Sequence, residues 1–324
     1  MLLNLILLII GFVALVKGAD YFVDGSATLA KVFRVPSLII GLTIVALGTS
    51  APELAVSSTA ALQGSNEIAL SNVVGSNMFN LLVVLGACAL FSTVPGNKDI
   101  FKRDFPFSII VTILVLVFTL SSAVFSGGLL SHNMADQAGI IGRAEGIAFI
   151  VIFIGYILWL IRAAKNNKTE ESEEELMPVW KCALFIILGL VAIVAGGQAV
   201  VYSAKEIARA LGMTETLIGL TVVAFGTSLP ELVTSIVAAR KKETGLAVGN
   251  VIGSNIFNLM LILGVSATLH PVAVNFASFF DLIILIFMSL ITYIFLISKK
   301  ELNRTEGIIM IAIYAVQIAF AIIR

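Results

Sequence analysis

Charge is what this sequence has least of. Only 12% of its 324 residues are Asp, Glu, Lys or Arg, against 59% hydrophobic, and its mean hydropathy is +1.07. Soluble domains carry roughly 25% charged residues. No single aqueous core buries this much apolar side chain, so lipid is the solvent for much of the chain. Every polar stretch is short, which excludes a large soluble catalytic domain, and no serine–histidine spacing repeats, so an intramembrane hydrolase, and with it an enzyme, is not expected. The 20 basic and 20 acidic residues cancel, so nothing points to a nucleic-acid partner. Sulfur and imidazole are equally scarce. Cys88 and Cys182 both sit in apolar surroundings, too few for a disulfide framework, and read as small core residues. His132 and His270 lie far apart and do not form a metal pair. The opening "MLLNLILLIIGFVALVKG" has no basic lead and no small-residue cleavage site. It reads as a retained first span rather than a signal peptide.

What the chain does have is apolar segments. A membrane span needs about 20 mainly apolar residues, and ten candidates meet this: 2–18, 36–62, 68–92, 106–126, 139–162, 180–200, 214–239, 246–269, 276–298 and 306–323. The second, third, seventh and eighth are interrupted by Gly, Ser, Asn or Pro. Ten spans alternate the loops between two sides, and 16 of the 20 basic residues fall on one of them. The exceptions are Arg143, Lys205, Arg209 and Arg324. The basic side is cytoplasmic, so both termini face outward. The acidic run Glu170 to Glu175 lies in a polar stretch, 163–178, that reads as a solvated cytoplasmic linker.

Shifted by 178 residues, the chain matches itself without a gap. "GLTIVALGTSAPEL" at 41–54 falls on "GLTVVAFGTSLPEL" at 219–232, and "NVVGSNMFNLLVVLG" at 72–86 on "NVIGSNIFNLMLILG" at 250–264. Over 41–86, 25 of 46 residues are identical to their mates. Each half holds five spans, an odd number, so the two cross the membrane in opposite directions. The expected architecture is an all-α polytopic membrane protein: ten transmembrane helices as two inverted five-helix repeats, with broken helices 2, 3, 7 and 8 at the core. The first repeat is 1–162 and the second 179–324, joined by the linker 163–178. This is the plan of secondary transporters, whose substrate sites lie between the repeats near the midplane.

The breakers and acids have a chemistry in common. Proline has no N–H to give to the carbonyl four residues back, so Pro52 and Pro230 deprive the carbonyls of Gly48 and Gly226 of a partner. Thr49, Ser50, Thr227 and Ser228 set hydroxyls beside them. Glu53 and Glu231 follow the prolines. A carboxylate at a helix centre costs about 2.5–3.5 kcal/mol on insertion scales and is functional by default. A bound cation offsets that cost, and an all-oxygen donor set suits calcium or sodium better than zinc or copper. Ser76, Asn77 and Asn80, matched by Ser254, Asn255 and Asn258, add neutral oxygens. Asn77 and Asn255 are open between bracing the helices and touching ions. Gly75, Gly86, Gly253 and Gly264 read as packing positions. Asp20, Asp24, Glu145 and Asp281 have no acidic mate and read as interfacial.

At "GTSAPEL" and "GTSLPEL", each followed by "GSNMFN" or "GSNIFN", the chain resembles the sodium/calcium exchanger branch of the calcium/cation antiporter superfamily. The resemblance covers essentially the whole chain. It implies a prokaryotic antiporter exchanging Na+ for Ca2+ across the plasma (inner) membrane by alternating access, electrogenically, with no cofactor and no obligate protein partner beyond the bilayer. It also implies a calcium site made by the carboxylates of Glu53 and Glu231 and the carbonyls of Thr49 and Thr227. Sodium sites would use the Ala46 carbonyl, Thr49, Ser50, Glu53 and Ser76 on one side. Ala224, Thr227, Ser228, Glu231 and Ser254 would serve the other. Asn80 and Asn258 would line the middle. The "GNxxE" pattern of proton-coupled relatives is absent, which favours sodium over the alternative, H+-coupled Ca2+ antiport. Asn258 stands where the potassium-dependent branch tends to have Asp, which argues against potassium.

Overall fold

The computed structural model describes residues 1–64, 66–96, 99–126, 134, 136–166, 176–213 and 224–323. His132, Lys98, Lys168, the Glu170 to Glu175 run, the first part of the seventh expected span and Arg324 lie outside the described residues.

The described chain is helical apart from two small antiparallel strand pairs. Among the described residues eight helices are long and apolar enough to cross a membrane: α1 (Leu2–Phe33), α4 (Ala69–Phe91), α5 (Ile100–Ser121), α6 (Arg143–Asn166), α7 (Val179–Ala210), α10 (Thr244–Leu269), α11 (Phe276–Lys299) and α12 (Arg304–Ala321). A bent pair, α2 (Ser37–Thr49) and α3 (Ala51–Leu62), which meet at 49°, is long and apolar enough only when the two are taken together. The remaining broken segment is described as α8 (Ala224–Thr227) and α9 (Leu229–Arg240). The strands link distant loops: β1 (Val94–Pro95) pairs with β4 (Glu301–Leu302), and β2 (Gln137–Ile141) with β3 (Val272–Asn275).

Burial sorts the helices into centre and periphery. The membrane-spanning window of α10 is 94% buried and that of α4 is 83%, whereas those of α1 and α7 are only 22% and 28% buried. Helices α4 and α10 therefore form the core, and α1 and α7 pack largely on each other. Their contact is built from glycine. A methyl on Gly11 would come within 2.9 Å of the Gly196 carbonyl, and one on Gly189 within 2.7 Å of the Gly18 carbonyl. Such approach of backbones replaces the hydrophobic drive that lipid removes.

Both outer helices are longer than expected. The first span was expected over 2–18 and the sixth over 180–200, yet α1 and α7 each have 32 residues. Asp20 and Asp24 interrupt the apolar run without ending the helix, because Lys241 pairs with them at 3.4 and 2.8 Å. As a consequence Lys17 is not in a loop but exposed midway along α1, where its long stem lets the ammonium reach toward water. Asp281 accepts a hydrogen bond from Gln317 at 3.5 Å.

Helix ends repeat one backbone conformation between sequence mates. Arg34 (φ 54°) and Gly212 (φ 84°), 178 residues apart, both take the left-handed conformation just beyond a helix. So do the mates Gly64 (φ 74°) and Lys242 (φ 63°). Glycine fills this position on the charge-poor side at no steric cost. On the basic side Arg and Lys accept the strain and face the negative end of the helix dipole.

Candidate functional site

The chain breaks where the prolines and glycines direct. Ser50 (φ −85°, ψ 7°) separates α2 from α3, and Ser228 (φ −93°, ψ 7°) separates α8 from α9. Pro52 and Pro230 stand in the first turns of α3 and α9, where a missing N–H is least costly. Each proline thus opens a new half-helix rather than kinking a continuous one. The glutamate after it lies in that first turn, toward the positive end of the dipole. Ala46 and Ala224 lie in the half-helices before the breaks, and Thr49 and Thr227 close them. The Ala46 carbonyl accepts the Ser50 N–H at 3.0 Å and has the Thr49 hydroxyl at 3.5 Å.

Glu53 and Glu231 have no solvent exposure, and neither do Thr49, Ser50, Ser228, Asn80, Asn258 or Ser254. Each broken helix braces the acid of the other. Ser50 Oγ donates to Glu231 Oε1 at 2.8 Å, and its mate Ser228 Oγ donates to Glu53 Oε1 at 3.2 Å. With its one proton on Glu53, Ser228 Oγ accepts from Ser76 Oγ at 3.2 Å. The second oxygens, Glu53 Oε2 and Glu231 Oε2, have no hydrogen-bond partner, nor do Thr227 Oγ1, Ser254 Oγ, Asn80 Oδ1 and Asn258 Oδ1. A buried polar atom left unpaired costs about 1–3 kcal/mol, a cost that a cation among these oxygens would offset. All of these are oxygens, and two belong to carboxylates. Among the described residues no cluster of three or more His, Cys, Asp or Glu occurs, so a cation held here takes its counter-charge from these two acids.

Asn77 and Asn255 brace the helices. Asn77 Nδ2 donates to the Asn255 carbonyl at 3.1 Å, and Asn255 Nδ2 to the Asn77 carbonyl at 3.4 Å. Asn258 Nδ2 donates to Asn77 Oδ1 at 3.0 Å, which fixes its amide so that Oδ1 is the free end. Asn80 and Asn258 each open a π-helical turn, Asn80–Val84 and Asn258–Ile262. Such turns insert one residue into a helix and are frequent at functional sites. Nothing in the sequence reading anticipated them.

A second shell of asparagines was also missed. Asn250 accepts from Thr49 Oγ1 at 3.0 Å and donates to Ser235 Oγ at 2.9 Å and to the Glu231 carbonyl at 3.4 Å. One amide therefore ties the first broken helix to the second. Its mate Asn72 donates to Ser57 Oγ at 3.0 Å. Both asparagines and both serines are identical between the repeats, and that identity was the available signal. Of the glycines read as packing positions, Gly86, Gly253 and Gly264 do press on backbone, with an added methyl within 3.0 Å of the carbonyls of Gly307, Leu42 and Gly146 respectively, whereas one on Gly75 would meet nothing within 4 Å, so that reading fails there. Cys88 and Cys182 are buried free thiols. Another buried acid, Asp104, is fully engaged by Arg103 at 2.7 and 2.9 Å and by the Tyr156 hydroxyl at 3.2 Å, so it clamps α5 to α6 and offers nothing to an ion.

Comparison with known proteins follows the same residues. The model of the sodium/calcium exchanger protein family matches 3–162 and 181–323. The chain is 36% identical to the putative antiporter CaxA of Alkalimonas amylolytica, over 96% of each chain. It is 35% identical to the sodium/calcium exchanger MaX1 of Methanosarcina acetivorans, over 99% of this chain and 98% of that one. The structure superposes on the sodium–calcium exchanger NCX_Mj soaked with 10 mM Na+ and no Ca2+, with a TM-score of 0.83 at 30% identity and 98% coverage of both chains. The same exchanger soaked with 2.5 mM Na+ and 0.1 mM Ca2+ gives a TM-score of 0.81. The chain belongs to the sodium/calcium exchanger family.

Proposed function

We propose that this protein is a secondary antiporter that exchanges Na+ for Ca2+ through one buried site shared by the two repeats. The observation that carries the reading is the crossed brace of Ser50 to Glu231 and Ser228 to Glu53, with the second oxygen of each acid unpaired. Two carboxylates balance one Ca2+. Carbonyls of Thr49 and Thr227 complete its shell. Sodium ions take the flanking positions: Ala46, Thr49, Ser50, Glu53 and Ser76 on one side, Ala224, Thr227, Ser228, Glu231 and Ser254 on the other. Asn80 and Asn258 line the middle. Because the same carboxylates serve both ions, calcium and a full set of sodium ions exclude each other, and that exclusion is the coupling.

The molecule carries ten spans in two inverted repeats, 1–162 and 179–324, in the plasma (inner) membrane, with the 163–178 linker cytoplasmic and both termini outside. Strand pairing supports this sidedness. Paired strands share a side, and the pairs β1–β4 and β2–β3 join loops that the basic-residue count assigns to the same side. The poorly buried α1–α7 pair is the element that slides against the other eight spans to expose the site alternately.

The test is calcium-45 uptake into sodium-loaded vesicles diluted into sodium-free medium. Uptake that requires the outward sodium gradient is expected. Uptake that ignores sodium and follows an imposed pH gradient would overturn the sodium assignment in favour of H+-coupled antiport.

A further inference from the structure

A second site lies away from the ion site, at the basic face. A cleft of about 520 Å³ opens between the start of α5 and the end of α11, lined by Gly96, Phe101, Lys102, Tyr293, Ile297 and Lys300. Lys102 and Lys300 are exposed, and among the described residues neither ammonium has a partner. The neighbouring acids are otherwise placed. Asp99 pairs with Arg103 at 3.7 Å and Glu306 with Lys299 at 3.5 Å, while Glu301 is exposed opposite Pro95 on the strand pair.

The walls are fixed. The Tyr293 hydroxyl donates to the Phe101 carbonyl at 2.7 Å. The Gly96 N–H donates to the Lys300 carbonyl at 2.9 Å, holding Lys300 in its left-handed conformation (φ 58°). A methyl on Gly96 would strike the Phe101 ring, so the floor of the cleft requires glycine. Arg103, beside Lys102, lies over the Trp159 ring at 5.2 Å. Tryptophan marks the headgroup level of a bilayer, so the cleft sits where phosphates are. From Ile297 an apolar stripe climbs α11 through Ile294, Leu290 and Phe287, exposed by 45, 61, 40 and 61%. Their spacing of three and four residues keeps them on one helix face.

From this juxtaposition of two unpaired lysines, a rigid aromatic cleft and a lipid-facing stripe, we infer that the cleft binds an anionic glycerophospholipid of the cytoplasmic leaflet. The phosphate bridges Lys102 and Lys300 and one acyl chain follows the α11 stripe. Basic pockets between helices on the cytoplasmic side are suited to acidic headgroups. Inorganic phosphate shares the headgroup chemistry but has no use for the stripe.

The test is native mass spectrometry of the full chain titrated with phosphatidylglycerol or phosphatidylcholine. The wild-type chain is expected to retain phosphatidylglycerol about tenfold better. A Lys102→Gln, Lys300→Gln double variant loses that preference, and Ile297→Glu weakens retention with the lysines intact. Lys165→Gln, a basic-face control on α6, keeps it. Equal loss in Lys165→Gln means general surface charge and overturns the proposal. So does retention unchanged in the double variant, or full displacement of the lipid by millimolar inorganic phosphate. None of these outcomes bears on the ion site.

Discussion

Ser50 and Ser228 show how a short side chain sets the behaviour of a buried acid. Each hydroxyl holds one carboxylate oxygen of the opposite repeat and leaves the other unpaired. A hydrogen bond to a charged group contributes about 1.5–3 kcal/mol, so Ser50→Ala or Ser228→Ala is expected to weaken apparent calcium affinity by about 10- to 100-fold, read from the concentration dependence of calcium-45 uptake. Asn250→Ala should do similar harm without touching an ion, because it releases Thr49 and Ser235 together. Asn72→Ala, which breaks a single bond to Ser57, should do less. The acids, hydroxyls and prolines were legible because each appears twice in an otherwise apolar setting. Asn72 and Asn250 repeat just as faithfully, but an asparagine three residues before a glycine–serine pair has no charge to advertise it. Its role depends on which helix packs beside it, and that is a tertiary fact.

At the scale of elements, helix existence was legible and helix length was not. Hydropathy stops at Lys17 and Asp20, but the α1 helix runs on to Phe33 because its polar residues find Lys241 or water. The π turns at Asn80 and Asn258 were equally invisible, since a π turn has no hydrophobic period of its own. The α1–α7 contact gives the sharpest prediction here. Gly11→Val or Gly189→Val forces side chains into backbone carbonyls within 3 Å. Overpacking of this kind costs about 1–3 kcal/mol, and thermal unfolding in detergent should show a lowered midpoint and exchange should fall with it. Gly155→Ala, where an added methyl meets nothing within 4 Å, should leave both unchanged.

For the whole molecule, duplication turns one sequence into two half-sites that face each other across the crossed serine–glutamate bonds. The mates Arg34 and Gly212, and Gly64 and Lys242, keep one backbone conformation with different residues. Exchange that moves more than two sodium ions per calcium carries net charge with the sodium. An inside-positive potential, clamped with a potassium ionophore, should therefore speed calcium uptake into sodium-loaded vesicles severalfold. An electroneutral exchange would show no such effect.

The central claim is that Na+ and Ca2+ compete for the carboxylates of Glu53 and Glu231. Equilibrium binding of calcium-45 to the purified chain tests it without any transport step. The expected result is saturable binding of one Ca2+ that rising sodium displaces completely, and that Glu53→Gln and Glu231→Gln each abolish. Calcium binding that is indifferent to sodium, or that survives in either variant at wild-type affinity, would contradict it.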